Sequence, residues 1–218
     1  MKSNHRTIEP SNNFSRGFTL IEMLIVLGII GILSGIGIAT YSGVTRRAQK
    51  ARCQELVSDV ATALEGIYQK DGCWPRRILA GSNSDQGLTK EVAYDIAKKK
   101  MMALSTDPNN LEKHETVGAD RMGIVSPWAA AVIKRAGKKS VSDGTKIPSG
   151  GTIRDHRLRY AVDEDGKGYV KANVGGETLT IRGAAAVWCC GADGKLESYS
   201  VGQRKDDVYS WNKGQIKQ

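Results

Sequence analysis

MLIVLGIIGILSGIGIATYSGVT, from Met23 to Thr45, runs 23 residues without a charged side chain. As a helix it would be about 34 Å long at ~1.5 Å per residue, enough to cross a hydrocarbon core of ~30 Å. A core helix seldom goes so far without a polar face, so the run reads as a membrane span. Ahead of it lies a polar leader, residues 1–17, in which Lys2, Arg6 and Arg16 stand against Glu9. Three cations and one acid make +2, which the positive-inside rule keeps cytoplasmic, with the rest of the chain across the membrane. An ordinary secretory signal has an apolar core of ~7–15 residues and small residues at a cut after it. Here the small-x-small candidate Gly37-Ile38-Ala39 sits inside the run.

One carboxylate, Glu22, stands at the entry to the run. An ionisable group in a membrane helix costs on the order of a few kcal/mol, so it reads as functional. If the chain is cut between Gly17 and Phe18, the new Phe18 amine and Glu22 are i and i+4 on one helix face. Each can then neutralise its counterpart on a neighbouring chain. Gly17 suits such a cut, because it offers a protease an unobstructed backbone.

Arg16-Gly17-Phe18-Thr19-Leu20-Ile21-Glu22-Met23-Leu24 resembles the processing site of the type IV pilins and type II secretion pseudopilins. The resemblance implies cleavage after Gly17 by a prepilin peptidase and methylation of the Phe18 amine. It also implies that Glu22 guides subunits into a filament at an inner-membrane assembly platform, beside minor pilins or pseudopilins. Many members carry a proline midway along the apolar helix, where this chain has Ala39 among Gly28, Gly31, Gly35 and Gly37. Each glycine weakens a helix by ~1 kcal/mol relative to alanine. These glycines supply either local melting or close helix packing.

The chain of 218 residues is 40% hydrophobic and 25% charged, one ordinary domain plus this appendage and not a disordered polymer. Its net charge of +9 falls by the leader's +2 to +7 after the cut. That excess suits an anionic neighbour, either lipid headgroups or nucleic acid. No P-loop, His-Glu-x-x-His or Gly-x-Ser-x-Gly motif is present, and His5, His114 and His156 are scattered, so catalysis is not expected.

Beyond the span the helix continues to about Lys70. Arg46, Arg47, Lys50 and Arg52 come first, then a stripe of Val57, Val60, Ala61, Leu64, Ile67 and Tyr68. Asp71-Gly72 and Pro75 end it. In residues 75–150, Thr89 can cap a helix to about Leu104, Asp107-Pro108-Asn109-Asn110 is a turn, and Ser126-Pro127 opens a short helix closed by Gly137. Ser126-Pro127-Trp128 resembles the Asp-Pro-Trp of major pseudopilins. Residues 138–151 read as loop. The period then changes to two, with strands expected at 157–162, 169–174, 178–181, 184–190 and 196–201, and a hairpin at Gly175-Gly176.

Val187-Trp188-Cys189-Cys190-Gly191-Ala192-Asp193-Gly194 and the later Asp206-Asp207 resemble the end of the major pseudopilins, where such a turn and acidic loop hold calcium. The resemblance implies Asp206 and Asp207 as side-chain ligands, with carbonyls from the 190–194 turn helping, suitable oxygens for that ion. Asp163-Glu164-Asp165-Gly166 is a weaker calcium candidate. Four cysteines in an exported head suggest disulfides. Cys53 and Cys73 are ~30 Å apart on a helix and should not pair. The expected bridge joins Cys73 to Cys189 or Cys190, with Cys53 taking the other only if the strand is bulged.

The fold expected is α+β, a long N-terminal helix packed on an antiparallel sheet, pilin-like. Its segments are a leader at 1–17, a transmembrane and polymerisation helix at 18–45, and an amphipathic continuation at 46–71. A connecting region at 72–150 and a sheet with a C-terminal loop at 151–218 follow. The function expected is a homo-oligomeric filament subunit of a secretion pseudopilus or type IV pilus, single-pass in the inner membrane with a periplasmic head. Two alternatives are a DNA-uptake pilin and a membrane-anchored binding module that never polymerises.

Overall fold

The computed structural model describes residues 18–98, 123–136, 141–202 and 206–217; within its first helix the side chains of 35–40 and 42 are excepted. Gly17, the turn at 107–110, Gly137 and the helix tail expected at 99–104 lie outside the described residues. Two compact units, Met1–Thr45 and Arg46–Gln218, are taken separately. Helix α1, Leu20–Asp71, is continuous for 52 residues, so Gly28 and Gly31 do not break it. In the first unit its large apolar side chains are exposed, among them Leu20, Leu24, Leu27, Ile32 and Leu33.

In the second unit the stripe finds its partner. Cys53, Leu56, Val57, Val60, Leu64 and Ile67 recur at three- and four-residue spacing and are buried in one core. At the helix end Gly72 has φ of +67° and its N–H reaches the Tyr68 carbonyl at 2.8 Å, a left-handed stop that glycine adopts freely. Trp74 stacks on Tyr68 and donates its indole N–H to the Asp163 carbonyl at 2.7 Å. Short helices α2, Arg76–Gly81, α3, Lys90–Lys98, and α4, Pro127–Ala136, follow. α4 is the one expected from Ser126-Pro127.

The strands are β1, Arg159–Val162, β2, Tyr169–Val174, β3, Glu177–Arg182, β4, Ala185–Cys189, and β5, Val208–Tyr209. They form two antiparallel sheets and not one: a hairpin of β2 with β3, and a sheet in the order β1-β4-β5. In the hairpin Val170 faces Ile181 and Ala172 faces Leu179. Gly175 at its turn has φ of +56°, and the Glu197 backbone fills the space that a Cβ would need. In the second sheet Tyr160 pairs with Val187, and Trp188 with Tyr209. All of β4 is buried.

The expected strand at 196–201 is absent. Its place is taken by an irregular segment and a short helix, α5, Tyr199–Gly202, while β5 occupies the edge beside β4. The reason is tertiary: the ring of Tyr199 packs against Tyr209 and Trp211, with centroids at 4.9 and 5.9 Å, which an edge strand at that position would preclude. Leu64 is fully buried in the helix–sheet core. Leu64→Ala should therefore cost about 2–5 kcal/mol of head stability, read as a lower urea midpoint with an unchanged slope.

Candidate functional site

The helix begins on a reciprocal cap. Thr19 donates its backbone N–H and its hydroxyl to Glu22 Oε2, both at 2.8 Å, and Glu22 returns its N–H to Thr19 Oγ1 at 3.3 Å. This is the Thr-x-x-Glu capping box, a signal that was present in the sequence and that the reading of Glu22 as an intermolecular partner passed over. Phe18 is 78% exposed just ahead of it. The cap orients the Glu22 carboxylate at the helix start, one turn along from the residue expected to become the new N-terminus.

Taken among the described residues alone, no helix is long and apolar enough to cross a membrane. The apolar run of the sequence continues through side chains outside them. Arg46, Arg47 and Arg52 are exposed on the succeeding turns of α1, and Lys50 is half-buried.

The C-terminal acidic pair is used as a staple. Asp207 accepts the Gly191 N–H at 3.0 Å and, on its other oxygen, the Glu197 N–H and the Tyr209 hydroxyl at 3.3 Å. Asp206 accepts the Ala192 N–H, and its carboxylate lies where a Cβ on residue 191 would project, so only glycine fits there. Burial, outweighing these donors, pushes the Asp207 carboxyl up to about 6. Calcium requires six to eight oxygens whose lone pairs point at it. Here the carboxylate lone pairs face N–H donors, and no group of three His, Cys, Asp or Glu side chains gathers as a metal site among the described residues. In the weaker candidate, Asp163 accepts the Gly168 N–H and Asp165 pairs with Lys167, again closing a turn.

A second polar cluster was not legible in sequence, because its members are 30 residues apart. Ser126 Oγ lies 2.9 Å from His156 Nδ1, and His156 Nε2 lies 3.0 Å from the Gly150 carbonyl, with both side chains fully buried. A carbonyl only accepts, so Nε2 carries the proton and the serine hydroxyl donates to Nδ1. A carbonyl stands where a catalytic triad would have a carboxylate, and the pair joins the start of α4 to the 150 loop. Cys190 Sγ donates to the Asp155 carbonyl at 2.9 Å on the same side. Nearby, a polar cleft of ≈ 320 Å³ is lined by Asn83, Asp85, Asp155, Arg159 and Trp188.

All four cysteines are thiols in this structure. Cys73 is exposed, whereas Cys189 and Cys190 are buried, so the expected bridge from Cys73 is not formed. Cys189 lies instead against Cys53. β4 runs back along α1 and brings its cysteine end to the wrong end of the helix for Cys73.

The prokaryotic N-terminal methylation motif matches residues 12–38. The chain is 37% identical over 104 residues to the type IV major pilin protein PilE of Neisseria gonorrhoeae, covering 47% of this chain and 62% of that protein. A fimbrial protein of Neisseria meningitidis serogroup A is 27% identical over 143 residues, covering 62% of this chain and 84% of the relative. A fimbrial protein of Pseudomonas aeruginosa is 40% identical over 82 residues, covering 37% of this chain and 47% of the relative. The chain thus spans less than two thirds of the gonococcal pilin's length. No solved structure matches it significantly.

Burial lowers the His156 pKa below its ordinary 6.5, opposed by the Gly150 carbonyl and by Asp155, Asp193 and Asp206. A lowered folded pKa means that the stability from neutral His156 is present above pH 6.5 and is lost as pH falls through the folded value. An NMR titration of the ring should show its midpoint below 6.5. Ser126→Ala, which leaves Nδ1 without its donor, should cost about 1–3 kcal/mol in chemical denaturation.

Proposed function

This chain, a member of the type IV pilin family by its methylation motif and its homologues, is, we propose, a structural subunit of a type IV pilus-like filament. A prepilin peptidase cuts after Gly17, the Phe18 amine is methylated, and residues 18–45 hold the subunit in the inner membrane until assembly. The observation that carries this reading is the exposed apolar surface of α1 in the first unit, which the described chain leaves uncovered. Water makes that surface costly, at roughly 1.5–3 kcal/mol for each large side chain that could be buried. Lipid covers it before assembly, and the helices of neighbouring copies cover it afterwards.

Glu22 supplies register. In lipid an unpaired carboxylate is expensive, and the Phe18 amine of an adjacent copy offers it a partner only at one axial offset. Both charges vanish from the apolar environment when that offset is reached, so assembly is favoured and slippage is not. A pilus machine is preferred over a secretion pseudopilus because the relatives above are pilins and fimbrial proteins. The pseudopilin reading rested on the resemblance of the C-terminal segment, whereas these relatives are pilins.

Intact mass and N-terminal sequencing of the protein recovered from membranes should give a chain starting at N-methylated Phe18. A start at Met1, or one within the apolar run, would overturn the reading. Glu22→Gln separates the charge from the cap, since glutamine also closes a capping box. The variant should be processed and retained in membranes, yet its sheared filament yield should fall by about tenfold or more, the scale of one unpaired charge at depth. Wild-type filament yield from Glu22→Gln would remove Glu22 from assembly.

A further inference from the structure

Three of the four cysteines converge at one end of the helix–sheet interface. Gly183, just before β4, lies against Glu65 of α1, a Cβ there falling 3.6 Å from Oε1. Trp74, just past the end of α1, bonds the Asp163 carbonyl, and Asp163 in turn bonds Ala184, so β4 starts near the C-terminal end of α1 and Cys189, six residues on from Gly183, lies toward Cys53 in the same core. Six strand residues cover ~20 Å and twelve helical residues, from Glu65 back to Cys53, cover ~18 Å. The two elements therefore run antiparallel and in step. Alternation along β4 puts Ala185, Val187 and Cys189 in the core with the helix, and Ala186 and Trp188 in the other. Cys53 and Cys189 are both fully buried, in the same core.

We propose that Cys53 and Cys189 form a disulfide that ties α1 to β4 and leaves Cys73 and Cys190 as thiols. Cys73 is excluded by distance. α1 carries the chain from Cys53 to Asp71 through eighteen residues, ~27 Å, where a bridge needs Cα atoms within ~7 Å. Cys190 follows on the strand and is turned elsewhere, donating to the Asp155 carbonyl and lying 3.8 Å from His156 Nδ1.

The oxidant is a small or protein disulfide, RSSR. One cysteine thiolate attacks an oxidant sulfur and expels one RS⁻. The second thiolate then attacks the resulting mixed disulfide at the cysteine sulfur and expels the other. One S–S bond forms and one breaks, two electrons pass to the oxidant, and the two thiol protons end on two RSH. The neighbouring Cys53 thiol, together with burial, holds Cys189 well above the ordinary thiol range. Thiolate is therefore scarce once the core has closed, and the bond belongs to the folding phase. That the cell supplies an oxidant rests on the exported head of the proposed function.

The test refolds the reduced full-length chain in detergent with oxidised and reduced glutathione. Remaining thiols are blocked with N-ethylmaleimide under denaturing conditions, and unreduced peptides are mapped by fragmentation mass spectrometry. The expected result is a Cys53–Cys189 link with Cys73 and Cys190 blocked. Glutathione added to the folded, reduced protein should make the link about tenfold more slowly or worse. Cys53→Ser and Cys189→Ser should each abolish the link, whereas Cys73→Ser and Cys190→Ser should keep it. Four blocked thiols after refolding, or a link through Cys73, would overturn the pairing. The same map on protein from intact cells separates the two readings. The link found there supports both, while four thiols in cells beside a link in vitro would overturn the exported head and leave the pairing standing.

Discussion

The head depends on β4 being buried on both faces. Its five residues divide by simple alternation between two cores, one shared with the α1 stripe and the other closed by Trp188, Trp211 and Tyr199 against the β2–β3 hairpin. β1 and β5 pair with its two edges, so that the buried backbone groups have partners. A slip of one residue would exchange the faces, turning Trp188 toward the helix and Cys189 away. The Asp207 staple opposes such a slip, because it bonds the turn just after β4 to the segment that becomes β5. Asp206 adds a bond to the Ala192 N–H, so the acidic pair ties the turn after β4 in register.

The first unit obeys the opposite rule. Its helix presents large apolar side chains outward with one carboxylate at the start, already held by Thr19. A soluble domain would bury such a surface within itself. Here the described chain does not, and the apolar area must be covered by lipid or by other helices. In the proposed function the residues facing hydrocarbon are those that a neighbouring copy would bury, so one surface would serve both.

Much of this was legible because it is written locally. The uncharged run, the stripe from Val57 to Ile67, the Ser126-Pro127 helix start and the Tyr169–Val174 strand each depend on residues within one or two turns or pleats of one another, and the structure places them as expected. The misses share a different cause. The strand expected at 196–201 had suitable residues, but Tyr199 instead packs its ring against Tyr209 and Trp211. The sheet divides in two through the choice of which strands pair, and the Ser126–His156 pair forms between residues 30 apart; no local pattern encodes either. The capping box is the exception, since Thr19 and Glu22 stand three residues apart and encode it locally.

By itself the sequence determined that the chain has an apolar N-terminal helix, a processing motif of the pilin type and an α+β head, since hydrophobic period and a contiguous motif survive without any fold. Only the tertiary structure decided how the cysteines and aspartates are used. Cys189 could face the helix or its opposite, and could lie at either end of the stripe; the antiparallel run of β4 along α1 put it beside Cys53. Asp206 and Asp207 could bind a cation or backbone amides, and the close approach of the Gly191 turn put N–H donors on them. Side-chain chemistry names what a residue can do, and the direction in which packed elements run selects which of those things it does.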